Sequence, residues 1–264
     1  MAIIVQYNTK NEEARLLQKA LNEKLDINLT TDGAFGKISV EAFKDYQEKM
    51  KKPQTGIYNS DEYPELAQYI NKRFVREVDV RNAGKEINVD GSVIMAFRDV
   101  ESKFNGFLPD GRTVILFERH YFYKLLSQLK GEKFADSVSA KNPDICNTTP
   151  GGYKGGAAEW TRLTRAEAIN NHCAIQSASW GMFQVMGAYY KLAGYNTPEE
   201  LVQAYGESEK AHLEGLIKFI KSNPKLLKAC QQKDAVHIAM YYNGAGYAVN
   251  QYDKLIARAI KKYS

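Results

Sequence analysis

Residues 90–102 read DGSVIMAFRDVES and predict the helix around which the larger part of the chain folds. The Asp-Gly-Ser start is typical of a helix N-terminus, because a short polar side chain can accept the first free backbone N–H groups. Glu101 comes four residues after Phe97 and therefore shares its apolar face. Burial and the negative end of the helix dipole both disfavour a carboxylate, so we expect a raised pKa for Glu101, as general acid catalysis near neutral pH requires. The alternative is a buried ion pair with Arg98 or Arg119.

Two later stretches carry side chains that suit a sugar-binding cleft. Residues 179–187 read SWGMFQVMG, and residues 241–246 read YYNGAG at the end of an expected helix. Taken singly, the first is typical of core packing around an aromatic residue, and the second of a glycine C-cap. Taken with the acid, they predict a cleft in which a glycosidic oxygen is protonated. The residues that we expect to contact the substrate are Ser102, Trp180, Phe183, Gln184, Tyr242 and Asn243.

Hydrolysis of a glycosidic bond usually needs a second carboxylate, about 5–5.5 Å from the acid in retaining enzymes and about 6.5–9.5 Å in inverting ones. Glu118 is the first candidate, because it follows the strand-prone run RTVILF at 112–117, which suits a cleft wall. The alternative for Glu118 is an ion pair with Arg112 or Arg119, and Glu159 is a weaker candidate for the second acid. If no carboxylate faces the first acid, a transglycosylase is favoured, because there the 6-hydroxyl of the sugar attacks.

The first seventy residues carry a different pattern. Residues 12–25, EEARLLQKALNEKL, predict an amphipathic helix, and the glycine turn TDGAFG follows at 31–36. A second helix, a weaker echo of the turn at 55–59 and a third helix near 61–71 complete this part. We therefore predict a mainly α fold, with a small three-helix domain over 1–71, a charged connector over 72–89, and a mostly helical domain with a minor β element over 90–264.

The small domain resembles the peptidoglycan-binding domain of many cell-wall hydrolases. The segments that carry this resemblance are RLLQKALN, TDGAFG, AFKDYQ, TGIY and PELAQYI. The chain departs from the family pattern at Asn59, where glycine is usual. The resemblance implies contact with the wall through the turn residues Asp32, Gly33, Phe35 and Gly36, which would raise the local concentration of the enzyme at its substrate.

The rest of the chain resembles two related groups of enzymes. The order Glu-Ser, Gly-Met-Phe-Gln and Tyr-Asn-Gly is similar to motifs of lysozyme-like lytic transglycosylases. The stretches VESKFNGFLPDGRTVILFERHYFYK, GGYKGGAAEWTRL and SASWGMFQVMG are closer to the N-acetylmuramidase domain of modular phage endolysins. This resemblance implies a lysozyme-like fold in which Glu101 is the general acid that hydrolyses the β-1,4 bond between N-acetylmuramic acid and N-acetylglucosamine. The alternative is a lytic transglycosylase that leaves 1,6-anhydromuramic acid ends.

The composition is that of an ordinary globular protein, but its charge is uneven. The net charge is +5, with 9 basic and 11 acidic residues in 1–71 and 27 and 20 in the remainder. The basic second part fits an acidic cell wall, whereas the lack of a dense Lys/Arg run or a nucleic-acid motif argues against nucleic acid as a partner. Three distant cysteines form no disulfide framework and four histidines lack zinc spacing. We therefore expect no metal or cofactor, and a zinc amidase with His120, His172 and Cys173 as ligands is the minor alternative.

Both ends of the chain bear on its location and partners. Residues 251–264, QYDKLIARAIKKYS, predict a basic amphipathic helix, interpreted first as a solvated closing helix and alternatively as a contact with an anionic outer-membrane surface. The start, MAIIVQYNTK, is too short for a signal peptide, and no transmembrane span follows. We expect a monomer that stays in the host bacterial cytoplasm until lysis and then acts on the wall in the periplasm, with a separate pore letting it out.

Overall fold

The computed structural model describes residues 1–102 and 105–264, and the mainly α-helical fold predicted from the sequence is confirmed. Among these described residues, no helix is both long enough and apolar enough to cross a membrane. The contacts within the chain define two units. The first comprises Met1–Glu77 and Phe107–Arg112, and the second comprises Val78–Gly106 and Thr113–Ser264.

The first unit consists of three helices and a two-stranded antiparallel ribbon. Asn11 caps the first helix, because its side chain accepts a hydrogen bond of 2.9 Å from the Ala14 N–H. The second helix follows the glycine turn without a side-chain cap. The elements are β1 (Ile4–Val5), α1 (Glu12–Leu25), α2 (Lys37–Lys49), β2 (Tyr58–Asn59) and α3 (Pro64–Arg73).

Two buried glutamines fix the turns of the first unit. Gln18 on α1 accepts a hydrogen bond of 2.9 Å from the Gly33 N–H and donates one of 3.0 Å to Ser39 Oγ. Gln47 on α2 accepts a hydrogen bond of 2.9 Å from the Gly56 N–H. Gly33 and Gly56 have φ angles of 77° and 70°, which residues with a side chain rarely adopt. The turns at Gly33 and Gly56 therefore share one arrangement, in which a glutamine on a helix accepts a hydrogen bond from the glycine of the turn. This shared arrangement explains why the two turns are similar in sequence.

The short segment Phe107–Arg112 belongs to the first unit, although it lies inside the second domain as predicted from the sequence. Phe107 is buried in the core of the first unit and packs on Phe74 with ring centroids 6.3 Å apart. The Arg73 guanidinium lies 3.4 Å from the centroid of the Phe107 ring, which suits a cation–π contact. No local pattern links this segment to α3, so a boundary drawn along the sequence misses it.

The predicted connector over 72–89 is mostly helical. After α3 ends at Arg73, α4 runs over Glu77–Ala83 and a 3-10 turn over Gly84–Ile87. Gly84 allows the chain to turn tightly, since a Cβ there would lie 2.4 Å from the Val89 carbonyl oxygen. This stretch therefore contains little irregular backbone.

The second unit is built around α5 (Gly91–Ser102), which begins as the sequence predicts. Asp90 Oδ1 accepts a hydrogen bond of 2.8 Å from the Ser92 N–H, and hydrogen bonds from Ser92 hold the pKa of Asp90 well below its ordinary value. The buried side of α5 includes Ile94 and Phe97. The other helices are α6 (Arg119–Lys130), α7 (Glu132–Lys141), α8 (Ala157–Gln176), α9 (Pro198–Glu207), α10 (Glu209–Ser222), α11 (Pro224–Gln231), α12 (Ala235–Asn243) and α13 (Tyr252–Tyr263), with 3-10 turns at Gly187–Tyr189 and Ala245–Ala248.

A small antiparallel sheet supplies the minor β element of the second unit. Its strands are β3 (Ile115–Phe117), β4 (Ala178–Trp180) and β5 (Val185–Met186), in the order β3-β4-β5. The sheet brings together the chain after β3, which carries Glu118, and the β4–β5 turn, which carries Gln184.

The C-terminal helix α13 packs its apolar face on α5 and α12. Ile256, Ala259 and Ile260 are buried, and Lys262 Nζ lies 2.9 Å from Asp99 Oδ2 on α5. This packing favours the interpretation as a closing helix, because the apolar stripe is already covered. Contact of the exposed basic face with an anionic outer-membrane surface stays a prediction.

Candidate active site

A cavity of about 450 Å³ opens in the second unit beside the C-terminal end of α5. Its lining includes both predicted catalytic residues, Glu101 and Glu118, together with Gln184, Tyr242 and Asn243. The volume is in the range of ligand sites, and carboxylates among aromatic rings suit a saccharide. The aromatic side chains of its walls are Tyr153, Tyr189, Phe219, Tyr241, Tyr242 and Tyr252.

Glu101 is half-buried at the last turn of α5 and has one amide partner. Asn243 Nδ2 donates a hydrogen bond of 3.1 Å to Glu101 Oε1. Burial raises the pKa of Glu101 from 4.5 to about 7, and the hydrogen bond from Asn243 opposes this rise. The carboxyl therefore keeps its proton up to near-neutral pH, which is the property expected of a general acid.

The alternative ion pair between Glu101 and Arg119 does not form. The Arg119 guanidinium donates to three backbone carbonyls, those of Thr149 at 2.9 Å, Pro143 at 3.1 Å and Pro150 at 3.1 Å. Arg119 therefore holds the 143–150 loop in place. Arg98 is fully buried on α5, and the structure shows no bond from it to Glu101 among the described residues.

Glu118 stands at the N-cap position of α6 and faces the same cavity. Its two carboxylate oxygens lie 2.9 and 2.8 Å from the Tyr153 hydroxyl, and Oε2 lies 3.2 Å from His120 Nδ1. The alternative ion pairs are made elsewhere, since Arg112 pairs with Asp110 at 2.6 Å. Glu118 is thus held by a neutral hydroxyl and an imidazole, and not by an arginine.

The pKa of Tyr252, which also lines the cavity, is raised by both carboxylates. Burial chiefly raises the pKa of Tyr252, and the negative charges of Glu101 and Glu118 raise it further. Tyr252 therefore lies within electrostatic reach of both groups. Glu159, the weaker candidate for a second acid, is fully buried and makes a salt bridge of 2.7 Å with Arg162, so it is a structural residue.

Three of the predicted substrate-binding residues line the cavity, but their hydrogen bonds differ in kind. Gln184 has a φ of 52°, and its Nε2 donates a hydrogen bond of 2.8 Å to the Gly181 carbonyl. The Tyr242 hydroxyl donates one of 2.6 Å to the Phe183 carbonyl, and burial raises the pKa of Tyr242 well above its ordinary value. Of the three, Asn243 is the one that holds the acid.

The other three predicted substrate-binding side chains do not line the cavity. Trp180 is fully buried, packs edge-on against Trp160 and donates a hydrogen bond of 2.9 Å to the Ile175 carbonyl. Phe183 is also fully buried, and the Ser102 hydroxyl oxygen is shielded from solvent. Trp180 and Phe183 therefore have packing roles in place of the predicted substrate contacts, because the β4–β5 segment turns both rings into the core. Substrate contact by Ser102 stays a prediction.

Several cavity residues are missing from the sequence-based prediction. Tyr153 lies in the long loop 142–157. The length and glycine content of this loop are the one feature of the sequence that indicates a functional role for it. Tyr252 begins α13, and Tyr189 lies in a 3-10 turn, and neither stands in a motif that indicates sugar binding. Their positions depend on tertiary packing alone.

The turn residues of the first unit have structural roles. Asp32 Oδ1 accepts a hydrogen bond of 2.9 Å from the Ala34 N–H, and Phe35 is buried in the core. A Cβ on Gly33 would lie 2.6 Å from the Asn11 carbonyl oxygen, whereas Gly36, the N-cap of α2, has no atom that close. Gly33 and Phe35 are buried, whereas Asp32 and Gly36 remain accessible to a ligand.

Among residues 1–102 and 105–264, no group of three or more His, Cys, Asp or Glu side chains is arranged to hold a metal ion. The zinc ligands of the amidase alternative do not converge. His172 lies beside Glu199 at 3.3 Å, His120 lies beside Glu118, and Cys173 is buried.

Comparison with known proteins gives three findings. A model of the N-acetylmuramidase family matches residues 90–264, and a model of the peptidoglycan-binding domain family matches residues 10–63. The crystal structure of the Burkholderia AP3 phage endolysin is 32% identical with a TM-score of 0.64, and the match covers 99% of each chain. No curated protein sequence matches the chain significantly.

Proposed function

Because the chain belongs to the N-acetylmuramidase family and is a peptidoglycan-hydrolysing endolysin, we propose that Glu101 is the general acid of the reaction. The bond cleaved is the β-1,4 bond between N-acetylmuramic acid and N-acetylglucosamine. The observation that carries the proposal is the position of the Glu101 carboxyl, half-buried at a cavity of saccharide size, where burial raises its pKa to about 7. A proton held at that pKa can be given to the leaving glycosidic oxygen near neutral pH.

Asn243 orients the acid for this transfer. Its amide donates to Glu101 Oε1, so the transferable proton resides on the other carboxyl oxygen, which can turn towards the cavity. The same hydrogen bond grows stronger when the carboxylate forms after transfer, because an ionised acceptor binds a donor more tightly. Asn243 thus stabilises the product form of the acid without stopping protonation at neutral pH.

Glu118 is the proposed second carboxylate. It faces the same cavity, and its charge reaches Tyr252 together with that of Glu101. In hydrolysis it would activate a water molecule or stabilise the positive charge that develops on the sugar ring. A carboxylate in this position favours hydrolysis over transglycosylation, which needs no second acid.

The remaining contacts to the glycan come from the cavity wall. We assign saccharide binding to Gln184 and Asn243 and to the aromatic rings of Tyr189 and Tyr252, which can stack on sugar faces. The first unit would hold the enzyme on peptidoglycan and raise its concentration there. As a phage endolysin the protein would stay in the host bacterial cytoplasm until lysis and then act on the wall.

Mass spectrometry of the fragments released from purified peptidoglycan tests this function. We expect ordinary reducing-end N-acetylmuramic acid from the native protein and no release from Glu101→Gln, which keeps the shape of the side chain but has no proton to give. Glu214→Gln, at an exposed glutamate of α10, is the matched control and should release fragments at the native rate. Products lighter by one water, with 1,6-anhydro ends, would refute hydrolysis, and release by a folded Glu101→Gln variant would refute the acid.

A further inference from the structure

The hydroxyl of Tyr153 contacts both oxygens of Glu118, at 2.9 and 2.8 Å. A phenol carries a single hydrogen, so this hydrogen is shared between the two oxygens and the plane of the carboxylate is fixed relative to the ring. Oε1 keeps a second lone pair for a water molecule or the substrate, whereas Oε2 also faces His120 Nδ1 at 3.2 Å. The contact therefore orients Glu118 without closing it off.

Tyr153 is itself held by the loop that carries it. Gly151 and Gly152 precede it with φ angles of 94° and 77°, which direct the loop in a way that other residues rarely allow. The Gly155 N–H donates a hydrogen bond of 3.0 Å to the buried Glu159, whose other oxygen is paired with Arg162 at 2.7 Å. The buried ion pair on α8 thus anchors the loop directly after Tyr153.

We propose that Tyr153 is a positioning residue for the hydrolysis: its hydroxyl holds the Glu118 carboxyl group in one orientation at the cavity. The inference rests on the proposed role of Glu118 as the second carboxylate. A hydrogen bond to an ionised acceptor is roughly twice as strong as one between neutral groups, so a single hydroxyl can fix the orientation of a carboxylate. Burial and the neighbouring Glu118 raise the pKa of Tyr153 well above its ordinary value, so the hydroxyl stays a donor at every pH of interest.

Other groups also contact this pair, and their effects must be separated from that of Tyr153. His120 Nδ1 lies 3.2 Å from Glu118 Oε2, so each rate is measured with His120 present and again with His120→Gln. The charged and titratable groups that face Glu118 or Tyr153 are His120 on α6, Tyr252 on α13, Glu101 on α5, and Glu159 with Arg162 on α8.

The test compares kcat and KM of Tyr153→Phe with those of the native protein, with peptidoglycan fragment release as the readout. The chain offers a matched control, because the Tyr123 hydroxyl donates a hydrogen bond of 2.7 Å to Asp136 at the exposed surface and Tyr123 does not line the cavity. We expect Tyr153→Phe to lower kcat by about tenfold and to leave KM nearly unchanged, because the orientation of Glu118 is lost while the saccharide contacts remain. The basic limb of the pH–rate profile, set by Glu101 near pH 7, should stay in place, and Tyr123→Phe should leave both kcat and KM unchanged.

Each outcome decides between a positioning role and a merely structural one. A folded Tyr153→Phe variant with native kcat, or one in which KM changes as much as kcat, would overturn the proposal. A fluorinated tyrosine at position 153 covers the case in which the phenylalanine variant fails to fold: its stronger donor should change kcat and leave KM in place, and an unchanged kcat refutes the inference. Glu118→Gln is measured separately, since a native rate there would remove the role of Glu118 itself.

Discussion

Replacing Glu101 by glutamine should abolish hydrolysis and make the second unit more stable than the native one at alkaline pH. The folded protein holds this carboxyl at a pKa of about 7, because burial disfavours the anion, whereas the unfolded chain ionises it at the ordinary value of 4.5. Above pH 7 the native fold therefore contains a carboxylate in an unfavourable place. Glutamine removes the charge and keeps an oxygen that can accept the hydrogen bond from Asn243.

The sign and size of the effect follow from proton linkage. Below pH 4.5 the group is protonated in both states, and the stability linked to its raised pKa is fully present. As the pH rises to about 7 the unfolded chain loses the proton first, so that stability is lost at ~1.4 kcal/mol per pH unit. The interval corresponds to a loss of at most about 3 kcal/mol above pH 7, an upper bound because the half-buried carboxyl can still contact water.

Urea unfolding followed by tryptophan fluorescence measures this quantity in the second unit alone. The chain has 2 tryptophans, and Trp160 and Trp180 both lie in that unit. The difference in unfolding free energy between Glu101→Gln and the native protein should favour the variant progressively more between pH 4.5 and pH 7. The exposed control Glu214→Gln should show no such trend. If the difference for Glu101→Gln does not change with pH, the carboxyl is not perturbed by burial, and its assignment as general acid loses its physical basis.

Two further predictions concern the first unit. Gly33→Ala should destabilise it by about 1–3 kcal/mol, because φ is 77° and a Cβ would lie 2.6 Å from the Asn11 carbonyl oxygen, whereas Gly36→Ala should be nearly neutral at a φ of −83°. Hydrogen exchange of the α1 amides measures both, and equal effects would contradict the role given to the turn. A chain that lacks residues 1–77 should be pulled down less by purified peptidoglycan yet still cleave soluble glycan fragments. This variant also carries Phe107→Ser, because that ring belongs to the core of the removed unit, and undiminished pull-down would refute wall binding by the first unit.

The part of the site that follows from local periodicity could be predicted from the sequence. Glu101 shares the apolar face of α5 with Phe97, and this spacing alone predicts a carboxyl that is drawn out of water. The helix cap at Asp90 and the local turn at Asp32-Gly33-Ala34 could also be predicted, since each depends on residues within a few positions of one another. The fold class follows for the same reason, because most of the chain is helical.

Features that depend on distant parts of the chain were not predictable in this way. The stretch SWGMFQVMG alternates apolar with small or polar residues, which fits a cleft wall and a core strand equally well. The pairing of β4 with β3 and β5 decides the matter, because it turns Trp180 inwards and leaves Gln184 at the cavity. The contact between Tyr153 and Glu118 likewise joins a glycine loop to the end of a strand, and no spacing in the sequence encodes it.

The two glutamates of the cavity show why residue type alone does not assign a catalytic role. Glu101 is half-buried at the cavity, and this burial favours its protonated form although the amide of Asn243 opposes the effect. Glu118 is held by the Tyr153 hydroxyl and lies beside the His120 imidazole. Glycoside hydrolysis needs a proton donor and a second carboxylate in different surroundings. In this cavity those surroundings come from α12 for Glu101 and from the 142–157 loop for Glu118, so the roles of the two acids depend on long-range packing around chemically identical side chains.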